Sequence, residues 1–415
     1  MNTLTGYELR KLIRRKSTLF GLLGILIVSV LSTVVPVFQE HSYDANGEVK
    51  GLAAIKLEKR YAASFQGELT PDVFSGAVSR FQQILGQSTK VTDGGGSYMS
   101  NGDFYKTYPD SPVLNLLRKG FSSPAGGYNY EVVDTLAPEK AAAFYEQRTA
   151  YIESYLEQNP EGIIYSDADK ATFRQMNEKI AVPLKFDYTK GWYYPLVNSS
   201  MLLLVVCFVL SICTAPVFSG EYQSGADAIV LSTRHGRGKL IRAKIGAAFL
   251  FSSGMFLLGW LVTLGLSLSI YGSSGWNSPL QTLDTRYLFS PYPFTVLGAF
   301  LLTTLIGWLA CLAIVSFTLL LSSRMGTPFS VIVWSVVLLF APLFIPQGKS
   351  PLFNQLLALL PGRQTQVFDT FNDYDLLHVL GLRLTMPSAI GWTALCITVL
   401  LLPFAWRGFH RHEVS

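Results

Sequence analysis

The chain has 415 residues, of which 49% are hydrophobic and only 15% are charged, with a formal net charge of +5. Soluble globular proteins carry about 25% charged residues, so this composition excludes an ordinary soluble domain and indicates an integral membrane protein. All four cysteines, Cys207, Cys213, Cys311 and Cys396, fall inside apolar runs, which argues against a disulfide framework or a thiolate metal site and predicts buried packing residues.

The amino-terminal residues 1–16 are predicted to hold a short amphipathic helix. It begins near Thr5 and places Leu9, Leu12 and Ile13 on one face, with basic residues around the other. Such a helix suits the cytoplasmic interface of a membrane. A plain basic stop before the first span is the alternative interpretation.

An uncharged apolar run at residues 17–38 is long enough to cross a hydrocarbon core of about 30 Å. It is long for a signal peptide and lacks a convincing cleavage site, so we expect a retained first span. The basic residues before it predict that the amino terminus lies inside and residues 39–195 outside.

The positive charge of the chain is unevenly distributed. Residues 39–195 hold 20 acidic and 16 basic residues, which leaves a net charge of +9 for the rest of the chain. Topology and anionic lipid explain this excess, and no nucleic-acid partner is expected.

Residues 39–195 are predicted to form a small, mostly helical extracytoplasmic domain. One helix runs from Thr70 to Leu85 and is stopped by Gly86, and a second runs from Ala137 to Gln158. No His, Cys or carboxylate cluster of this region has the spacing of metal ligands, so no metal site is predicted. Four tyrosines of this region, Tyr105, Tyr108, Tyr128 and Tyr130, either line a ligand surface or, as we favour, pack in the domain core.

Five more spans are predicted, at residues 196–217, 245–271, 294–321, 327–346 and 388–406. Between the last two, residues 347–387 lie outside and contain the apolar segment Pro351–Leu360, which is too short to cross and suits a re-entrant element. Residues 407–415 form a cytoplasmic tail. The prediction is therefore six spans with both termini inside.

Residues 218–244 form a polar, basic passage between the second and third predicted spans. Each ionised side chain costs about 2.5 kcal/mol or more at the centre of a bilayer, so this passage is predicted to be a cytoplasmic loop. Within it, Ala226–Leu231 form a short apolar helical patch. The loop either provides a docking surface for another protein or only fixes the topology by its charge.

The sequence contains no motif for an energy-yielding reaction. Residues 235–240 lack the glycine spacing and the terminal Ser or Thr of a phosphate-binding loop, so the chain is not expected to hydrolyse ATP. The central parts of the predicted spans carry no ionisable residue, which disfavours a proton- or sodium-driven carrier. We find no recognisable Ser-His-Asp or metal constellation, but the order of residues in the chain does not exclude one, so an intramembrane hydrolase is a further alternative. The energy for transport must come from a partner.

The loop sequence F-S-G-E-Y-x-S-G-x-x-A-x-x-L-S-T-R-x-G-R-x-K-L resembles the first cytoplasmic loop of ABC-2 type ABC-transporter permeases. In that family the loop forms a coupling helix that docks onto the ATPase subunit. The residues that carry the resemblance are Glu221, Gly225, Leu231, Ser232, Arg234, Gly236, Arg237 and Lys244. The predicted layout of the membrane portion is also similar to that of the family.

The resemblance implies an α-helical membrane protein with six transmembrane helices, acting as the permease subunit of an ATP-driven exporter. ATP and Mg would bind to a separate ATPase subunit, and a second permease subunit, identical or related, would complete the pathway. The cargo would be amphipathic or lipid-like, such as a peptide antibiotic. The insertion at 39–195 is larger than in compact members of the family, although some exporter permeases from Gram-positive bacteria carry one.

Besides a transporter, the sequence is compatible with two further kinds of membrane protein that do not catalyse a reaction. In the first, the chain is a membrane-anchored receptor or sensor whose outer domain binds a ligand and whose loop signals to a cytoplasmic partner. In the second, it is a channel-like or scaffolding protein. A receptor would need only one or two spans, which favours the transporter.

Overall fold

The computed structural model describes residues 3–93, 96–123, 127–159, 163–233 and 236–411. Within them, five helices are long and apolar enough to cross a bilayer: Lys16–Gln39, Ser199–Val217, Gly236–Tyr271, Val296–Ser322 and Met386–His410. The chain is therefore an α-helical, multi-pass membrane protein, as its composition predicts.

The amino-terminal helix α1 (Thr3–Ile13) buries Leu12 and also Glu8, which is the one acidic residue of this helix. After a two-residue break, helix α2 (Lys16–Gln39) continues for 24 residues, or about 36 Å. Phe20 and Phe38 are among its many exposed apolar side chains, and an exposed apolar face of this length suits contact with lipid tails.

The inserted domain, defined here as residues 40–189, follows α2. Its helices are α3 (Gly51–Ala63), α4 (Pro71–Gln87), α5 (Asn101–Thr107), α6 (Ser111–Phe121), α7 (Val132–Thr135), α8 (Pro138–Ala142), α9 (Phe144–Glu157) and α10 (Asp167–Glu178). Its strands form three antiparallel pairs: β1 (His41–Asp44) with β2 (Gly47–Lys50), β3 (Gly67–Glu68) with β6 (Lys185–Phe186), and β4 (Lys90–Asp93) with β5 (Gly96–Met99).

The two helices predicted in this domain are present with changed boundaries. Helix α4 begins at Pro71, as expected, but Gly86 does not stop it. The helix predicted over 137–158 is broken at Ala143, whose ψ of 28° separates α8 from α9. The strand pairs were not predicted. None of the four tyrosines predicted to pack in the domain core is among its buried residues, so this prediction was wrong. Tyr105 and Tyr108 are half-buried against Tyr43, and Tyr128 and Tyr130 are exposed.

The membrane portion resumes with α11 (Lys190–Val197) and α12 (Ser199–Thr214), and a 3₁₀ turn extends α12 to Val217. Two short helices, α13 (Ser219–Ser224) and α14 (Ala226–Ser232), form the loop that follows. A π-helical turn (Gly236–Leu240) leads into α15 (Ile241–Tyr271), and an irregular segment connects it to α16 (Val296–Ser322).

Between α16 and the last helix the chain is irregular. Helix α17 (Pro328–Phe340) and the 3₁₀ turn after it end at Phe344, so this apolar element is shorter than the five long helices. Then follow α18 (Pro351–Ala358), a 3₁₀ segment (Arg363–Asn372), the hairpin of β7 (Leu376–Val379) with β8 (Leu382–Thr385), and α19 (Met386–His410).

Small residues allow the membrane helices to approach closely. A Cβ at Gly21 of α2 would lie 2.4 Å from Val209 of α12, and one at Gly259 of α15 would lie 2.6 Å from Ile25 of α2. In lipid the hydrophobic effect does not drive helices together, so close contacts of this kind let them associate through van der Waals packing.

Three of the four cysteines, Cys207, Cys213 and Cys311, are buried among the membrane helices, as predicted. Cys396 is exposed on α19, so its prediction as a buried packing residue was wrong.

The inserted domain packs directly on the segments that connect the membrane helices. Arg148 of α9 is 2% exposed and donates from Nε to the carbonyl oxygen of Leu288 at 2.9 Å. The ring of Tyr151 stacks on Phe289 with centroids 3.7 Å apart. Nε2 of His378 lies 2.9 Å from Asp169 Oδ1. These contacts fix the domain to the segment before α16 and to the hairpin before α19.

Candidate functional site

In its described residues, 219–233 and 236–240, the loop between α12 and α15 folds as a helical hairpin, which we call the 219–240 hairpin. Gly225 ends α13 with φ +68°, a left-handed conformation that lets the chain reverse into α14. Gly236 returns the chain beneath α14, where a Cβ would lie 1.8 Å from the carbonyl oxygen of Val230. Both positions therefore require glycine, one for its backbone angle and the other for space.

A cluster of charges, in which Glu8, Glu221 and Lys244 are buried and Lys11 is exposed, joins this hairpin to two other helices. Nζ of Lys244, in the first turn of α15, lies 2.8 Å from Glu221 Oε1 and 3.1 Å from Glu8 Oε2. Nζ of Lys11 donates to the same oxygen of Glu221 at 2.7 Å. Lys244 is 2% exposed and Glu221 7% exposed. The four groups, Glu8, Lys11, Glu221 and Lys244, form what we call the charge cluster.

The electrostatics keep Glu221 ionised in this buried position. Burial acts to raise the pKa of its carboxyl group, but the positive charges of Lys244 and Lys11, and the hydrogen bonds that both ammonium groups donate, bring the pKa below its ordinary value. Removing one partner from a buried ion pair typically costs about 3–5 kcal/mol, because the other charge is left uncompensated. The cluster therefore holds α1, α13 and α15 in one arrangement.

Helix α13 is also anchored to the ends of α16 and α19. The hydroxyl of Ser322 accepts hydrogen bonds from the backbone N–H groups of Phe218 and Ser219, each at 3.0 Å. The hydroxyl of Tyr222 donates to the carbonyl oxygen of Ser323 at 3.0 Å. The ring of Phe409 stacks on Tyr222 with centroids 5.5 Å apart. A displacement of α13 would therefore move several membrane helices at once.

The outer face of α14 is free of such contacts. Ile229 is 72% exposed, and Ala228 and Ser232 are exposed beside it, whereas Leu231 is 5% exposed and packs into the membrane core. Arg237 donates from Nη1 to the carbonyl oxygen of His410 at 2.6 Å, which ties the base of the hairpin to the end of α19. The hairpin thus presents a small apolar surface on a rigid support.

The structure brings some of the residues that carry the family resemblance together and separates others. Glu221 and Lys244 meet in the charge cluster, Gly225 and Gly236 shape the hairpin, and Leu231 faces inward. Ser232 and Arg237 are exposed, and Arg234 lies outside the described residues. Lys244 was placed in the loop by the sequence, but α15 starts at Ile241, so Lys244 belongs to the membrane helix.

Glu8 and Lys11 were missed as site residues. Glu8 lies four positions before Leu12, so both occupy one face of α1, and a single acid on the apolar side of a basic helix was the available signal. The partner that neutralises it, 236 positions away, could not be read from the local pattern.

No protein-family model matches this chain, and no curated protein matches it. Among the described residues, no group of three or more His, Cys, Asp or Glu side chains could hold a metal ion. The charge cluster pairs carboxylates with ammonium groups on three different helices, an arrangement that suits the mechanical connection of these helices.

Proposed function

We propose that this chain is the transmembrane permease subunit of an ABC-2 type exporter, driven by a separate ATPase subunit that binds ATP and Mg. The observation that carries the proposal is the buried contact of Lys244 with Glu221 and Glu8. It connects an exposed hairpin of the length and sequence expected for a coupling loop to the amino-terminal helix and to the start of α15.

In this proposal, force enters at the exposed face of α14. The ATPase subunits would dock around Ile229, and their closure on ATP would push the hairpin toward the membrane. Because α13 shares Glu221 with Lys244 and Lys11, the push would reach α15 and α1 together. Coupling of this kind is carried by rigid helices that are joined through ion-pair networks and move between two arrangements.

The proposed topology has six spans with both termini in the cytoplasm and the inserted domain outside the cell membrane. In addition to the five long helices, the proposal counts the apolar element Pro328–Phe344 as a span, the fifth in chain order. Its 17 residues extend about 26 Å as a helix. A span slightly shorter than the hydrocarbon core is accommodated by local thinning of the bilayer. The basic residues of α1 and of the 219–240 hairpin would then lie on the same, cytoplasmic side.

The complex would contain two permease subunits, identical or related, of a bacterial, Gram-positive type. A pathway between them would be lined by apolar and hydroxyl side chains, which favours an amphipathic or lipid-like cargo such as a peptide antibiotic. The extensive packing of the inserted domain on the segments before α16 and α19 supports a part in the transport cycle more than a tethered receptor.

The test is co-purification of the tagged full chain from its native membranes in mild detergent. An ATPase subunit with a phosphate-binding loop motif should be retained, and Ile229→Asp should reduce its yield about tenfold or more, as expected for a charge placed in an apolar contact. Leu380→Asp is the matched control, because Leu380 is 99% exposed and lies on the β7–β8 hairpin. Equal retention by both variants, or the absence of any such ATPase, would refute the proposal.

A further inference from the structure

Three charged side chains meet where the inserted domain contacts two membrane elements. Glu58 lies on α3, Glu40 directly follows α2, and Lys190 is the first residue of α11, which leads into α12. Nζ of Lys190 lies 2.5 Å from Glu40 Oε2 and 2.6 Å from Glu58 Oε2. We call these residues the Lys190 triad. Two carboxylates share one ammonium group, so a negative charge is left in excess when all three groups are ionised.

The two carboxylates of the triad are not compensated equally. Lys190 donates a hydrogen bond to Glu40, and the hydroxyl of Tyr194 donates to the other oxygen of the same carboxylate. Oε2 of Glu58 is buried and makes no well-formed hydrogen bond within the described residues, although Lys190 lies near it. Hydrogen bonds to a carboxylate favour its ionised form. Glu58 is therefore the carboxylate that gains more from taking up a proton.

The surroundings of Glu58 act in the same direction. Burial raises the pKa of its carboxyl group, and this effect exceeds the opposing one of Lys190. The charge of Glu40 adds to the rise, whereas His41 opposes it. The side chain of Glu58 is 21% exposed, so protons from the solvent can reach it.

The other titratable groups around Glu58 belong to neighbouring elements of the inserted domain and of the membrane portion. They are three phenols that its charge affects and two carboxylates that line an adjacent cavity of about 200 Å³: Tyr108, Tyr188, Tyr271, Asp187 and Asp284. Phenols ordinarily titrate near pH 10, far above the range of interest here. Variants can separate Glu58 from His41 and from the two aspartates.

We propose that the Lys190 triad is a pH-sensitive latch, in which proton uptake by Glu58 tightens the docking of α3 on the end of α2 and the start of α11. Protonation removes the excess negative charge and leaves Lys190 paired with Glu40. A carboxyl group whose pKa is higher in the docked state than in water binds its proton more tightly when docked, so acid favours docking. The gain appears as the pH falls through the docked-state pKa and is complete below the ordinary value of 4.5. The latch does not depend on the proposed transport function.

The experiment measures backbone hydrogen exchange of α3 in the full chain, in phosphatidylcholine nanodiscs that expose both faces to the buffer. Corrected for intrinsic exchange rates, the protection of α3 should rise about threefold or more from about pH 7.5 to about pH 5, since uptake of one proton allows up to about tenfold per pH unit. Glu58→Gln is neutral throughout, so α3 should show constant protection, at least equal to that of wild type at about pH 7.5. If Glu58 served only as an ion-pair partner, Glu58→Gln would instead lower the protection of α3.

Glu153→Gln is the matched control in the same domain. Its carboxylate pairs with Arg174 at 2.6 Å on the surface, so the variant should keep the pH dependence of wild type at α3. His41→Asn, Asp187→Asn and Asp284→Asn should keep it as well, and its loss in any of them would assign the proton to that group and overturn the proposal. The proposal is also overturned if the protection of α3 in wild type does not rise toward acid, or if Glu58→Gln retains the dependence or lowers the protection.

Discussion

The ammonium group of Lys244 lies 2.8 Å from a carboxylate oxygen of Glu221, although 23 positions separate the two residues in the chain. One belongs to a membrane helix and the other to the short helix α13. Because both side chains are buried, neither charge can be compensated by water. This contact makes the position of the hairpin dependent on that of α15.

Lys244→Met should destabilise the protein by about 3–5 kcal/mol, since it leaves two carboxylates buried with reduced compensation. Glu221→Gln should also destabilise it, and the double variant should lose less than the sum of the two changes. Thermal unfolding of the purified chain measures all three. Lys239→Met, at an exposed position of the same region, is the control and should behave as wild type. Additive losses would mean that Lys244 and Glu221 do not interact.

Gly236→Ala should disrupt the 219–240 hairpin, because the new Cβ would lie 1.8 Å from the carbonyl oxygen of Val230. Relieving an overlap of this kind requires a backbone shift and costs about 1–3 kcal/mol. Gly238→Ala is the control, since a Cβ there meets nothing within 4 Å. Limited proteolysis at the hairpin should be faster for Gly236→Ala alone. Equal rates for the two variants would contradict the close approach.

The melting temperature of the protein should fall at acidic pH, a decline that we call the acid limb, and part of this decline should depend on Glu221. Its folded-state pKa lies below the ordinary value of 4.5, so the stability it contributes is present above about pH 4.5 and is lost as the pH falls through the folded-state pKa. Glu221→Gln should remove this part of the acid limb in melting temperatures measured from about pH 3 to 7. Glu139→Gln, at an exposed position, should leave the limb unchanged. An identical acid limb in wild type and Glu221→Gln would rule out this role.

The proposed topology predicts opposite accessibility for two exposed positions. In a variant without the four native cysteines, Ser232→Cys should react with a membrane-impermeant maleimide only from the cytoplasmic side, and Glu139→Cys only from outside. Both residues are exposed in the structure, so a failure to react from one side reports the membrane barrier. Labelling of both cysteines from the same side would exclude the proposed arrangement.

Features that depend on neighbouring residues in the chain could be predicted from the sequence. Helix α2 was expected at 17–38 and is found at Lys16–Gln39. A single apolar segment in lipid can satisfy its backbone hydrogen bonds only by forming a helix, so the length of the apolar run was sufficient to predict it. The apolar patch at 226–231 corresponds to α14 for a similar local reason. The break at Ala143 and the four strand pairs of the described residues were missed, because short elements take their stability from what they pack against.

By itself, then, the sequence determined that the chain is a helical membrane protein and that a charged loop separates two of its long apolar helices. Only the tertiary structure decided that Glu8 and Lys244 meet and that Arg148 binds the segment before α16. Hydrophobicity and helical periodicity are properties of residues close together in the chain, and they favour a helix whatever the segment packs against. The partner of a buried charge depends on how distant helices cross, because burial makes an uncompensated charge costly only once the helices have packed.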